Sequence, residues 1–548
     1  MRYNKLFPAA LLVTGIASLV SCSQNGGADG NLINKDSLSH DVMVLSSDSF
    51  QGRRPFTPGE TRAVDFIQNE FKSIGLAPGN GDSYIQKVPM VEITPDVSPL
   101  MTVQSAKGSF DLKKMEDFVI FTEKTDSVVS LVKDPVVFGG FGIVAPEYKW
   151  NDYAGLDVKG KIVMVMVNDP GFYDSTLFKG HTMTYYGRWT YKFEEAARQG
   201  AKGCLIVHST APASYPFNVV QNSNGGVKLH LDTRSSPQYQ LPVEGWITSD
   251  AAKKILAAAG KDTTLYATAV HNTFKPVPLG IQLTASIKVK AVFNQSQNVI
   301  AKIPGTKRPD EYIIYTAHWD HLGIGKPDEK GDSIYNGALD NASGTAGLIE
   351  LARAFKTMNP APERTIVFLA VTAEEQGLLG SAYYAQHPVY PLNKTVAEMN
   401  MDVINAYGKT KDVVITGEGQ SELEDYLVAE MKAQGRYIAH ETHPEAGHYF
   451  RSDHFNFARG GVPALDAKGG VDYEGKGTEY GKKLEDDYTA NHYHRPSDQY
   501  DASWTFEGGI QDLQMLYGIG KKLSGETTWP QWKTGSEFKA IREKSRGQ

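Results

Sequence analysis

His318 and Asp320 follow a continuous apolar run, Tyr312-Ile313-Ile314-Tyr315, and a Gly/Asn-rich turn further on supplies Asp340. The same arrangement recurs twice: Glu374 and Glu375 follow the run 364–371, and Asp402 closes the run 396–401. A second imidazole, His494, lies in Tyr493-His494-Arg495-Pro496-Ser497-Asp498. Taken singly, each residue has an ordinary structural explanation. Together, two imidazoles and three or four carboxylates at strand ends repel one another and are costly to desolvate unless a cation compensates them. Mixed His/Asp/Glu donors without cysteine suit zinc or a similar borderline divalent ion. Five ligands are too many for one tetrahedral catalytic zinc that keeps a water position. They fit two zinc ions about 3.5–4 Å apart that share a bridging carboxylate.

The elements that must position these groups are legible in the same stretches. A continuous apolar run suits a strand buried on both faces of a mainly parallel sheet. Groups just past its C-terminal end lie where open α/β sheets bind ligands. The segment from Ser343 through Ile349, Leu351, Ala352 and Phe355 has helical apolar spacing, with Asn341 or Ser343 as N-cap, so Asp340 sits on a strand-to-helix turn. Strand-helix alternation from Asn298 onward predicts an α/β fold: a mixed, mainly parallel sheet flanked by helices. Residues 35–86 read as helical. Thr57-Pro58-Gly59-Glu60 forms a capping box, Ala63, Phe66, Ile67, Phe71 and Ile74 form a buried face, and Gly75 is the stop. Between 88 and about 288 the texture changes to short β-rich runs with one helix at 191–199. Residues 466–491 read as an irregular loop, and a terminal helix is expected around 510–521.

At 548 residues the chain is too long for one ordinary core, so at least two domains are expected. A formal net charge of −7 with no basic run excludes nucleic acid as a partner. Arg2 and Lys5 precede an apolar stretch, 7–20, that is too short for a comfortable membrane span, followed by Leu19-Val20-Ser21-Cys22. This resembles a bacterial lipoprotein signal with its lipobox. It implies cleavage before Cys22, acylation there, and a lipid anchor on the periplasmic or outer side of an outer membrane. The other cysteine, Cys204, lies in an apolar run and reads as core, so no intrachain disulfide is expected.

The ordered set His318-x-Asp320, Asp340-Asn341-x-Ser343-Gly344, Glu374-Glu375-x-Gly377, Met401-Asp402 and Tyr493-His494-x-Pro496-x-Asp498 resembles the M28 family of metallopeptidases, co-catalytic dizinc aminopeptidases and their relatives. The segment Leu45-Ser46-Ser47-Asp48-x-Phe50-x-Gly52-Arg53 is similar to the family's N-terminal part. The stretch 155–163 with 194–207 resembles a protease-associated domain, which has no chemistry of its own. The organisation that follows is a lipoprotein signal at 1–21, a tether at 22–34, an N-terminal helical part of the peptidase domain at 35–95, an inserted protease-associated-like domain at 96–288, and the main peptidase domain at 289–548. The fold it implies is zinc-peptidase/phosphorylase-hydrolase-like.

Carried over residue by residue, the resemblance implies that His318, Asp340 and Asp402 hold one zinc ion while Asp340, Glu375 and His494 hold the other. Asp340 bridges. Asp320 orients His318, Glu374 is the general base, and Tyr493 donates to the developing oxyanion. A cis peptide is implied between Asp340 and Asn341. Arg451-Ser452-Asp453-His454-Phe455 is similar to a family segment near the substrate pocket, but Asp453 and His454 stay outside the catalytic set. His492 flanks Tyr493 as a competitor for the role of His494. From the insert, His181, Tyr185, Tyr186 and Arg188 could reach substrate, although surface packing also explains each. The expected activity is removal of N-terminal residues from peptides. The alternatives are a carboxypeptidase or glutaminyl-cyclase-like enzyme of the same superfamily, and a non-catalytic binding or receptor-like protein on this fold. A carbohydrate-binding lipoprotein has only the aromatic-rich insert in its favour. Preferred residue, oligomeric state and native metal are not set by the sequence.

Overall fold

Apolar residues alternate between two cores along the central strands. In the strand Arg308–His318, Ile313, Tyr315 and Ala317 join one hydrophobic cluster and Ile314 joins the opposite one. In Arg364–Val371, Ile366, Phe368 and Ala370 face the first cluster while Val367, Leu369 and Val371 face the second. Period-two alternation with both faces apolar is what a sheet covered on both sides requires. In the computed structural model, which describes residues 1, 32–236 and 238–547, the chain meets that requirement. The expected signal segment, Cys22 and most of the tether lie outside the described residues.

Four parallel strands form the centre in the spatial order Arg364–Val371, Arg308–His318, Thr395–Asn400 and Ala464–Gly469. The end of the strand Val277–Ile303 pairs antiparallel on one side, and Asp412–Ile415 pairs antiparallel on the other. The sheet is thus mixed and mainly parallel, as expected. Helices Lys35–Leu45, Pro58–Ile74, Gly344–Lys356 and Glu507–Gly525 bury their apolar sides in the first cluster.

Local signals mostly act as read. Thr57 accepts the Gly59 N–H at 3.2 Å, and Gly75 ends that helix at φ +77°. Glu60 departs from the capping-box expectation. Its carboxylate takes the Phe56 N–H and the Ser296 hydroxyl, tying the helix start to a sheet strand. For the helix Gly344–Lys356 the capping acceptor is Asn341, whose Oδ1 receives the Gly344 N–H at 2.9 Å. Ser343 turns back to the Leu339 carbonyl.

Residues 97–287 supply two clusters of their own, which include Phe138, Met164, Leu205 and Ile247 in one and Val163, Ile206 and Trp246 in the other. Strands Ile162–Met166, Gly203–His208 and Val243–Thr248 run parallel there. The connection to the main sheet is a long antiparallel ladder of Ile85–Val97 against Val277–Ile303, one strand of 27 residues that serves both bodies. Besides the expected helix, which spans Trp189–Arg198, this region carries further helices, among them Phe217–Asn224 and Ser249–Ala258. The expected 466–491 loop is largely regular, with the strand ending at Gly469 and a helix at Thr478–Asp487. Cys204 is fully buried. Among the described residues no helix is long and apolar enough to cross a membrane.

Candidate functional site

The C-terminal ends of three adjacent parallel strands converge on one point. His318 is the last residue of its strand, Asp402 follows Asn400 by two positions, and Glu374 and Glu375 follow Val371 through a short turn. Asp340 arrives from the turn ahead of the helix Gly344–Lys356, across a cis peptide to Asn341. Three non-glycine residues beside these groups hold left-handed backbone: Ala373 at φ +54°, Val403 at +65° and His494 at +56°. For a β-branched residue such as Val403 this conformation is strained. Such strain persists only where the surroundings enforce it, here through the Val403 N–H on Asn341 Oδ1 at 3.1 Å.

The two oxygens of Asp340 face different imidazoles. Oδ1 lies 3.4 Å from His318 Nε2, and Oδ2 lies 3.4 Å from His494 Nε2. On the His318 side, Asp402 Oδ1 lies 3.4 Å from His318 Nε2; on the His494 side, Glu375 Oε2 lies 3.0 Å from His494 Nε2. His318, Asp340 and Asp402 present donor atoms close enough to share one metal ion, as do His321, Asp340 and Glu375. The donors are nitrogen and carboxylate oxygen only, a set that fits a borderline divalent cation. His492 turns away, toward Asp487 and the Ser497 carbonyl.

Glu374 stands beside this set, its Oε2 3.9 Å from His318 Nε2. Burial raises its carboxyl well above the usual range; the His318 charge opposes this, and Asp402 and Glu375 reinforce it. Glu375 experiences the same burial, but the imidazoles of His494 and His321 outweigh it and hold the carboxyl down at about 2. Neighbouring glutamates are thus driven in opposite directions, Glu374 upward by burial and Glu375 downward by its imidazoles.

Asp320 acts differently from the expectation. His318 Nδ1 makes its contact with the main-chain carbonyl of Asp320 at 3.2 Å, while the carboxylate lies 3.7 Å away. That carboxylate accepts the Glu374 N–H at 3.0 Å, so it positions the turn carrying Glu374 and Glu375. Burial pushes it up to about 7, against the pull of His318. Tyr493 is 46% exposed, and its ring stacks on His494 at 3.9 Å between centroids.

A surrounding layer fixes the backbone. Asp498 accepts the Leu339 and Asp340 N–H groups at 3.0 and 3.1 Å, so the segment that brings His494 also clamps Asp340. Ser452 donates to Asp402 Oδ2 at 2.7 Å and receives Asn400 Nδ2 at 2.8 Å. Arg53, fully buried, donates to the carbonyls of Leu45, Trp319, Asn336 and Gly337, which pins the N-terminal segment beneath the site.

Residues 298–517 match Peptidase family M28. That span contains every residue of the cluster and none of the insert's own core. Curated relatives align over part of it. A probable zinc metalloprotease of Pyricularia oryzae is 46% identical over 162 residues, covering 29% of this chain and 29% of that protein. An aminopeptidase of Bacillus subtilis is 36% identical over 147 residues, covering 26% of this chain and 29% of its own length. A mouse aminopeptidase is 34% identical over 131 residues, covering 23% of this chain and 16% of that protein. The chain thus spans less than a third of the length of these curated relatives. Among solved structures, an aminopeptidase from Aneurinibacillus superposes over 92% of this chain and 98% of its own, at 22% identity and a TM-score of 0.49.

One residue of the M28-matching segment escaped the sequence reading. His321, fully buried, places Nδ1 2.6 Å from Glu375 Oε1. The signal was there in Trp319-Asp320-His321, a second imidazole within one turn of the first at a strand end. Only the fold shows that it turns toward Glu375. Its Nε2 is buried without a hydrogen-bond partner.

Proposed function

We propose that the protein is a zinc-dependent aminopeptidase with two metal sites sharing Asp340. The observation that carries this reading is the orientation of Asp340, one oxygen toward His318 and Asp402 and the other toward His494 and Glu375. In this reading His318, Asp340 and Asp402 would hold one ion, and Asp340, Glu375 and His494 the other. His321 would steady Glu375 by donating from Nδ1. Bound zinc would supply polarisation of the scissile carbonyl and a lower pKa for water.

The chain's own groups do the proton work. Glu374 acts as a carboxylate whose proton affinity burial raises: it takes the proton of the attacking water and returns it to the leaving amine. Asp320 fixes the backbone from which Glu374 projects. Tyr493, at the open side of the cluster, directs its hydroxyl toward the developing oxyanion. The region 96–288 acts as a protease-associated domain flanking the site, and acylated Cys22 tethers the protein to the outer membrane.

The test is hydrolysis of a peptide with a free N-terminus against its N-acetylated twin by the zinc-loaded protein. Cleavage of the free peptide alone supports the aminopeptidase reading; equal cleavage of both contradicts it.

A further inference from the structure

A row of buried polar side chains leads away from Asp402, between the sheet and the helix His454–Arg459. Thr316, Asn400 and Asp466 are register partners on three adjacent parallel strands, and Glu398 lies one step back on the same face as Asn400. Their contacts form one chain. Glu398 Oε1 meets the Thr316 hydroxyl, and that hydroxyl lies 2.8 Å from Asn400 Oδ1. Asn400 Nδ2 lies 2.8 Å from Ser452 Oγ, which lies 2.7 Å from Asp402 Oδ2.

Counting hydrogens gives the chain a direction. A ligand carboxylate at Asp402 accepts, so the single Ser452 hydrogen points there and the Ser452 oxygen receives an amide hydrogen from Asn400. The reverse amide orientation would leave Ser452 with two acceptors and one hydrogen. It would also turn the Asn400 oxygen toward Asp466 Oδ2, which now accepts from Nδ2 at 3.2 Å. Asn400 Oδ1 therefore faces Thr316 and takes its only hydroxyl hydrogen. None is left for Glu398, so the hydrogen in the contact between Thr316 and Glu398 must come from Glu398.

The surroundings of Glu398 agree. It is fully buried, its register partners on the neighbouring strands are Ile314 and Ala464, and it forms no ion pair among the described residues. Its second oxygen is buried without a partner. Other buried carboxylates are better supplied: Glu350 faces Arg353 and the Ser37 hydroxyl, and Asp512 faces Arg436. An ionised carboxylate at Glu398 would be desolvated without compensation. Burial raises its carboxyl well above the usual range, against the Thr316 contact and with the help of Asp453 and Asp466.

We propose that Glu398 is held as a neutral carboxylic acid and starts a one-way hydrogen-bond chain, through Thr316, Asn400 and Ser452, that orients Asp402 toward its metal ion. Glu398 is thus a positioning residue. The inference rests on the metal reading above, because it takes Asp402 as a ligand. Ser452 holds Asp402 Oδ2 and leaves Oδ1 facing His318, while a neutral head to the chain adds no charge to a cluster already rich in carboxylates.

The experiment compares the full-length wild type with Glu398→Gln, Glu398→Met and Thr316→Val. The infrared difference between wild type and Glu398→Gln should show loss of a protonated carboxyl C=O stretch; loss of carboxylate bands instead overturns the proposal. Zinc affinity, measured by competition with a chelator, is the second readout. Glu398→Gln, whose amide can still donate to Thr316, should stay within about threefold of wild type, while Glu398→Met and Thr316→Val should weaken one of the two sites about 10–100-fold. A side chain that only fills space would be replaced by methionine without effect on the metal. Unchanged affinity in the Met and Val variants, or a Gln variant as weak as the Met variant, therefore overturns the chain. If the Met variant does not fold, Glu398→Asp, too short to reach Thr316, carries the comparison, with weakened binding expected and unchanged binding contradictory. If wild type takes up no zinc, it is the metal reading that fails, and the infrared difference alone then supports or overturns the neutral acid.

Discussion

Both halves of the molecule bury charge beside parallel strand ends, and they handle it in opposite ways. In the insert, Asp152 accepts from the Phe141 and Ile143 N–H groups at 3.0 Å each and from Trp150 Nε1 at 2.8 Å. Asp169 accepts from Gly171 and Thr184, and the fully buried Lys192 caps the Asn168 carbonyl at 2.9 Å. Both of these carboxylates have conventional donors and feel the charge of Lys192. At the main sheet, Asp340, Glu374, Glu375 and Asp402 face imidazoles and one another, with the Ser452 hydroxyl added at Asp402, while Asp320 Oδ2 and His321 Nε2 are buried without partners. A satisfied network contributes to the fold; an unsatisfied one of the same size marks a place where something else must bind.

This contrast can be broken at several strengths. The largest effect should come from Glu374→Gln, which keeps the size of the side chain but removes its proton transfer. Turnover should fall roughly 10²–10⁴-fold with metal content unchanged. A fall smaller than tenfold would remove Glu374 from the proton path. In the insert, Lys192→Met leaves Asp152 and Asp169 without their cation and should lower stability by about 3 kcal/mol, read as a reduced melting temperature. The folded variant should still bind metal normally, which separates a structural charge from a functional one.

Smaller changes sharpen the other side. Ser452→Ala frees Asp402 Oδ2 and should weaken metal binding about 10–100-fold at one site only, measurable by competition with a chelator. Smallest is a reversal of sign. Asp402→Asn should raise the melting temperature of chelator-treated protein, because it relieves repulsion among carboxylates, and lower that of zinc-loaded protein, because it removes a ligand. A decrease in both states would mean that the cluster is already balanced without metal.

The sequence was most informative where one element dictates one position. The runs before His318, Glu374 and Asp402 are apolar throughout, so their strands and their exits are plain. It was least informative where tertiary packing overrides local preference. Ala464–Gly469 contains Asp466, Lys468 and a glycine, and from Asp466 onward it reads as loop. It becomes a strand because it pairs between Thr395–Asn400 and Asp412–Ile415. The helix Thr478–Asp487 has hardly any apolar face to announce it; Gly481 is its one buried residue and sits against the Val471 carbonyl, where a side chain would clash. Within the site, the grouping of His318, Asp340, Glu375, Asp402 and His494 was legible from type and order. The part played by Asp320 was not, because it turns on which atom of one residue meets His318. His321 was hidden for a related reason: spacing marks it as near His318 but cannot show that it points at Glu375.

The measurement that bears most directly on the central claim is the metal content of purified, dialysed wild type, Asp402→Asn, His494→Ala and Asp340→Asn, by elemental mass spectrometry. Because Asp340 presents one oxygen to each half of the cluster, wild type should hold two equivalents of zinc, and each of the first two variants should hold about one. Asp340→Asn should lose affinity at both sites. A single equivalent in wild type, or two retained in Asp340→Asn, would contradict a centre built on a shared carboxylate.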